Sequence, residues 1–127
     1  MINRKIKAIE QAGDFMCTIA QLNNICRQIV EGYQLIYGED IVDIFLYGSY
    51  ARGDYDIYSD IDIAAVVKGN RLELQQKLKK IWDISADVGL ENEVIVSPTV
   101  IPFEEFEEYK DSLPYYRNIY KEGRKIG

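Results

Sequence analysis

At 127 residues, 47% hydrophobic and 28% charged, the chain has the size and composition of one soluble domain with room for a real core. A net charge of −6 argues against sequence-independent binding to nucleic acid, which rests on a basic surface, without excluding a local basic groove. The absence of histidine removes histidine metal sites and histidine general bases, and no apolar run approaches the ~20 residues of a membrane span.

In chain order, Ile2, Ile6 and Ile9 recur at helical spacing with Arg4, Lys5 and Lys7 between them, predicting an amphipathic N-terminal helix that ends near Gly13. The region 1–15 is read as an extension to the domain. Met1 to Glu10 is charged and lacks the apolar segment of a signal peptide, which predicts a cytoplasmic protein. Cys17 and Cys26 are nine apart, a spacing that suits neither a zinc site nor a redox pair, so both are read as reduced, partly buried thiols. From Thr18 to Tyr37 the apolar residues Leu22, Ile25, Ile29, Tyr33 and Ile36 mark a long core-facing helix, closed by Gly38.

Ile41 to Tyr47 is β-branched and aromatic, a strand. Gly48 to Arg52 is a turn leading into a helix, and Asp54 to Ser59 a polar loop bearing tyrosines. Asp60 to Val67 is a second strand and Arg71 to Ile84 a second amphipathic helix. Val94-Ile95-Val96 is a short strand ahead of Ser97-Pro98. Phe103 to Tyr109 is a helix with an acidic outer face. Leu113 to Tyr120 is a last helix, with Pro114 in its first turn and residues 121–127 a loose tail. The mixture predicts an α+β fold, a small mixed β-sheet flanked by helices, in a single domain over 1–127.

The chemistry concentrates between the first two strands. Gly48 lets the backbone approach a ligand closely, and Ser49 either caps the following helix or donates to a phosphate oxygen. Asp60 and Asp62, two apart on an extended segment, share a face and repel unless a cation neutralises them. Mg2+ bridges such carboxylates to substrate phosphates. A Gly-Ser after a strand is usually only a turn, and a lone Asp-x-Asp is usually solvated; the conjunction of strand, Gly-Ser, short loop, Asp-x-Asp and strand is far more specific. Competing motifs fit poorly. An EF-hand loop from Asp54 would want an acid or amide where Tyr58 stands and glycine where Ser59 stands, and no Gly-x4-Gly-Lys phosphate loop exists. The tyrosines Tyr50, Tyr55 and Tyr58 either stack on a base or simply pack.

Gly48-Ser49, ten residues, then Asp60-Ile61-Asp62 resembles the signature of the polymerase-beta-like nucleotidyltransferases. The fuller wording Leu46-Tyr47-Gly48-Ser49-Tyr50-Ala51-Arg52-Gly53 is most similar to the minimal nucleotidyltransferases, small prokaryotic proteins often paired with a HEPN-domain toxin. The resemblance implies a Mg-dependent enzyme. It would use two metal ions to transfer a nucleoside monophosphate, AMP from ATP, to a hydroxyl acceptor with release of pyrophosphate. It assigns Asp60 and Asp62 to metal binding and Gly48 and Ser49 to the phosphates. Arg52 is assigned either to the triphosphate or to pairing with Asp54 or Asp56.

The family's third carboxylate, which joins Asp60 and Asp62 at the metal and helps deprotonate the acceptor, matches Glu93, with Glu91 as the fallback. The implied role is an antitoxin modifying a tyrosine of a HEPN partner. A binding-only antitoxin and an aminoglycoside-type transferase are the alternatives, and oligomeric state stays open.

Overall fold

Thr18 starts the first described helix, α1 (Ile19–Tyr37), by a reciprocal cap: its hydroxyl accepts from the Gln21 amide, and its own amide donates to the Gln21 side chain. The computed structural model describes residues 17–127, so the helix predicted over Ile2 to Gly13 lies outside the described residues. At the other end Gly38, at φ 58°, closes α1 by donating its amide to the Gln34 carbonyl. After a single 3-10 turn come β1 (Ile41–Tyr47), the one-turn helix α2 (Ser49–Arg52) and β2 (Ile61–Val67). Then follow α3 (Arg71–Asn92), β3 (Val96–Pro102), α4 (Phe103–Tyr109), α5 (Pro114–Glu122) and the two-residue β4 (Arg124–Lys125).

Among the described residues the strands form one sheet in the order β3-β2-β1-β4. β2 runs antiparallel to β1 and parallel to β3, and β4 adds antiparallel to the outer edge of β1. This is the small mixed sheet flanked by helices that the sequence predicts. Its two faces separate by the two-residue strand period. Ile44 and Leu46 of β1 and Ile61, Ile63 and Ala65 of β2 point toward α1 and α3, forming the larger core. Phe45, Ala64 and Val66 point the other way, against Phe106 of α4 and Ile119 of α5. Ile25, Ile29, Tyr33 and Ile81 are fully buried in the larger core, each aliphatic side chain worth about 1.5–3 kcal/mol of transfer free energy. Tyr33 keeps its buried hydroxyl satisfied by donating to the Thr99 carbonyl at 2.7 Å, which ties α1 to β3.

Three boundaries differ from the sequence reading, each for a tertiary reason. α3 continues two turns past Ile84, to Asn92. Val88 is buried, and at Gly89 a Cβ would lie 2.6 Å from the Val94 carbonyl oxygen, so the missing side chain lets the chain turn back tightly against the helix. The third strand lies at Val96–Pro102 rather than 94–96. It is a sheet edge, where Pro98 and Pro102 are tolerated because no neighbour needs their missing N–H. The end of the chain, expected as a loose tail, is paired instead. β4 joins β1, Ile126 N–H donates to the Ile44 carbonyl at 2.8 Å, and Ile44 N–H donates to the Gly127 carbonyl at 2.9 Å. An unpaired edge of β1 supplied the hydrogen bonds that a composition argument cannot see.

Candidate active site

β1 delivers Gly48 and β2 delivers Asp62 to the same end of the sheet, because Tyr47 and Asp62 are register partners. The turn is specific to glycine. Gly48 sits at φ 74°, ψ −155°, a region that essentially only glycine occupies. A Cβ there would stand 2.4 Å from Asp62 Oδ2. The bare backbone of Gly48 therefore lies directly against the Asp62 carboxylate.

Gly48 itself holds the N-cap position of α2 and Ser49 is its first helical residue; Ser49 makes no side-chain capping bond, which answers one of the two roles its sequence position suggested. α2 is only one turn long, closed by Gly53 in the left-handed region. Its macrodipole is correspondingly small, so any grip on phosphate comes from individual N–H groups and the Ser49 hydroxyl.

Asp62 is half-buried, beside Tyr47, whose hydroxyl shares a 2.9 Å hydrogen bond with that of Tyr115 of α5. Burial, then the neighbouring Asp60 charge, pushes the Asp62 carboxyl up to about 6, against a weaker opposing pull from Arg52. Asp60, immediately before β2, is close enough to load Asp62 electrostatically and also lines a cavity on the α3 side. Arg52 resolves toward pairing: its Nε donates to Asp54 Oδ2 at 3.2 Å, and its Nη1 lies 3.7 Å from Glu122 Oε2. These are exposed ion pairs, weak enough for the guanidinium to turn to a phosphate at little cost.

Glu93 departs most from its expected setting. It is the C-cap of α3, at φ 57° and ψ 39°, three residues ahead of β3. It lines the α3-side cavity together with Asp60. The β3 residue in register with Asp62 is Ser97, not an acid. Among the described residues no three histidine, cysteine, aspartate or glutamate side chains are grouped to hold a metal ion. Glu93 thus approaches the cavity from the cap of α3 and not from β3, because the chain turns into β3 later than the sequence suggested.

The remaining pair still suits a hard divalent cation. Two carboxylates repel, one is half-buried, and the nearest cation, Arg52, is already shared with Asp54 and Glu122. A Mg2+ held by Asp60 and Asp62 would take its other ligands from water and phosphate oxygens.

Of the three loop tyrosines, Tyr50 and Tyr55 stack on each other, centroids 4.1 Å apart and planes 9° apart, with Tyr50 buried. Tyr58 alone is left open, 85% exposed. Sequence reasoning missed the wall made by Tyr47 and Tyr115; the adjacency of Tyr47 to Gly48 was the available signal, but its partner comes from 68 residues away.

Residues 19–126 match the nucleotidyltransferase domain family. The chain belongs to that family. Two relatives from Methanocaldococcus jannaschii carry the name "Putative protein adenylyltransferase". MJ0604 is 31% identical over 100 residues, 79% of this chain and 92% of the relative. MJ1305 is 30% identical over 80 residues, 63% of this chain but 54% of the relative, so the match spans about half of that protein's length. Among solved structures the chain is similar to a toxin-antitoxin crystal structure with AMP-PNP, at 16% identity and TM-score 0.49, covering 79% of this chain and 70% of that one.

The nucleotidyltransferase domain thus contains a glutamate in a backbone conformation that favours glycine, a feature that separates fold from chemistry. Left-handed backbone costs a non-glycine residue ~1–2 kcal/mol, while glycine's extra chain entropy gives back roughly 0.5–1 kcal/mol. Relief of this strain offsets the loss of the Glu93 side chain's own interaction, so Glu93→Gly is expected to stay folded. If the carboxylate relays the acceptor proton, the same variant loses on the order of 10²-fold in kcat. Thermal melts and steady-state kinetics on the one protein separate the two effects; an unchanged kcat removes Glu93 from the chemistry.

The two cysteines are buried and free, as their spacing predicts. Burial raises both thiols, Cys26 to about 11, which leaves them protonated and unreactive at neutral pH. Among the described residues no helix is long and apolar enough to cross a membrane.

Proposed function

We propose that this nucleotidyltransferase domain transfers AMP from ATP to a hydroxyl on a partner protein, a tyrosine of a HEPN-type toxin, and so acts as an antitoxin. The observation that carries the reading is the meeting of a glycine-only turn with a coupled carboxylate pair, Gly48 against Asp62 and Asp60 beside it. The protein acceptor is supported by the names of the relatives and by the sequence likeness to minimal nucleotidyltransferases.

In the transfer, the acceptor oxygen forms a bond to the α-phosphorus as the bond to the β-phosphate bridging oxygen breaks. Pyrophosphate leaves with that electron pair. The acceptor proton passes to a carboxylate, with Glu93 the candidate, and then to water. Gly48 and Ser49 hold the β- and γ-phosphates, and Arg52 turns to them when it leaves Asp54. Asp60 and Asp62 would hold Mg2+, which supplies neutralisation of the charge developing on the phosphates. Little covalent work falls to the protein, so positioning dominates.

A binding-only antitoxin is the second reading. It is favoured by one observation, the serine rather than acid at the β3 position facing Asp62. Asp60→Asn distinguishes the two. In the transfer reading, mass spectrometry of the partner after incubation with ATP and Mg2+ shows the added AMP with the parent and none with Asp60→Asn, and toxin neutralisation is lost with it. If neutralisation survives in Asp60→Asn, masking by contact is the mechanism. If the partner's mass never changes while nucleotide still binds, the transfer reading fails.

A further inference from the structure

Two phenols meet on the face of the sheet that carries Asp62, and the transfer step above gives them no role. Strand alternation puts Asp62, Ala64 and Val66 on one side of β2, and Phe45 and Tyr47 on the same side of β1, the side covered by α4 and α5. Tyr47 and Asp62 are cross-strand partners, which sets their Cβ atoms about 4.5–5.5 Å apart. Tyr115, the second residue of α5, brings its hydroxyl to 2.9 Å from that of Tyr47.

Two hydroxyls carry two protons, and their mutual bond uses one. The other proton has no acceptor among the described residues. Burial decides which phenol keeps it. Tyr47 is part-buried, whereas Tyr115 is 50% exposed. An unmet donor is costly under cover and cheap in water, so Tyr47 donates to Tyr115, and the Tyr115 O–H is the one left over. Asp62 accepts no hydrogen bond from either phenol, so the donor is open to what binds there.

The Tyr115 ring is held in place. It packs edge-on to Tyr47, centroids 6.0 Å apart and planes at 85°, and against Tyr116 at 5.6 Å. Tyr116 donates to Glu105 of α4, which also pairs with Arg71 at the start of α3. The first turn of α5 is thereby tied to two other helices, and the donor is preorganised. Phosphate also has need of it. A nucleotide brings negative charge to Asp60 and Asp62, and Arg52 is already shared with Asp54 and Glu122.

We propose that Tyr115 donates its free O–H to a phosphate oxygen of the bound nucleotide, with Tyr47 as the positioning residue that fixes its direction. The proposal rests on the reading that the phosphates lie at Gly48-Ser49, beside the carboxylate pair, and adds a binding residue from the far end of the chain. Tyr47 joins the two parts: it precedes Gly48 in the chain and faces Asp62 across the sheet.

The full-length protein is titrated with ATP and Mg2+ and, separately, with tripolyphosphate and Mg2+, which offers the phosphates without the nucleoside. Tyr115→Phe keeps the ring and loses only the hydroxyl. It is expected to stay folded in ligand-free melts and to bind both ligands about tenfold more weakly, the scale of one hydrogen bond to a charged group. Tyr47→Phe leaves the Tyr115 hydroxyl free to rotate and is expected to cost roughly two- to fivefold. The double variant is expected to match Tyr115→Phe, because Tyr47 acts only through Tyr115. Tyr120→Phe, on the same helix, is the comparison and is expected to leave both affinities unchanged.

Unchanged affinity for both ligands in Tyr115→Phe overturns the proposal. So does a loss confined to ATP, which would set the hydroxyl against the nucleoside. A full loss in Tyr47→Phe with none in Tyr115→Phe reverses the donor and overturns it too. If the parent binds neither ligand, the phosphate reading fails along with the proposal. If the parent binds both and Tyr115→Phe binds them equally well, the phosphate reading stands and only the proposal falls.

Discussion

Asp62→Asn is expected to abolish nucleotidyl transfer, by at least about 10³-fold in kcat, and at the same time to raise the melting temperature of the metal-free protein. Loss of activity follows from removing half of the carboxylate pair that neutralises phosphate charge. The gain in stability follows from the cost of holding that charge in place. Asp62 is half-buried and faces Asp60, so its carboxyl titrates at about 6 instead of 3.8. The full shift corresponds to ~3 kcal/mol, which solvent screening at a half-exposed site reduces to about 1 kcal/mol, or a few degrees.

The sign sets the pH profile. The folded state binds the proton more tightly than the unfolded chain, so protonation favours folding. The contribution of Asp62 to the stability of the metal-free parent falls as pH rises from about 4 to about 6 and is flat above. Asp62→Asn lacks that slope. Binding of Mg2+ displaces the proton, so affinity for Mg2+ rises through the same window in the parent. Chemical denaturation at several pH values, with and without Mg2+, measures all of this; a parent whose metal-free stability relative to Asp62→Asn rises from about pH 4 to about 6 would refute the assignment.

Gly48→Ala is expected to damage both the fold and the transfer. The backbone at φ 74°, ψ −155° is strained for alanine by ~1–3 kcal/mol, and the new methyl stands 2.4 Å from Asp62 Oδ2. The atom the methyl meets is the Asp62 carboxylate itself, so making room for it disturbs the site. Either the turn opens or Asp62 swings away; both separate the phosphate turn from the carboxylate pair. We expect destabilisation of about 2 kcal/mol together with loss of transfer at saturating ATP. Gly53→Ala serves as the comparison. Gly53 is also left-handed, at φ 88°, but a Cβ there meets nothing within 4 Å, so it carries the strain without the collision. Activity retained in Gly53→Ala and lost in Gly48→Ala identifies contact with Asp62, rather than backbone strain, as the cause.

The candidate site was legible in the sequence wherever its parts are local. Gly48-Ser49 follows a β-branched run directly, and Asp60 and Asp62 open the next one, so the turn and the pair needed only strand periodicity to be put at one end of the sheet. Two helix ends were legible for the same reason: Gly38 and Pro114 act on their own neighbours. Where a residue's setting depends on a distant segment, the reading was incomplete. The third acid was sought on the approach to a strand whose start is set by how tightly Gly89 lets the chain fold back on α3. That shift of two residues puts Glu93 on a helix cap and Ser97 beside Asp62.

What the sequence by itself determined is the family, the mixed sheet and the Gly48-Ser49 and Asp60-Asp62 components, because each is written in short-range spacing that backbone geometry converts directly into placement. Only the tertiary structure decided that β4 closes the edge of β1, that Arg52 is shared with Asp54 and Glu122, and that Trp82, Leu90 and Ile95 gather in one groove around Ser85. Those outcomes depend on pairing and burial between segments far apart in the chain. No local pattern encodes them, because hydrogen-bonding edges and solvent exposure exist only once the sheet and its helices have assembled.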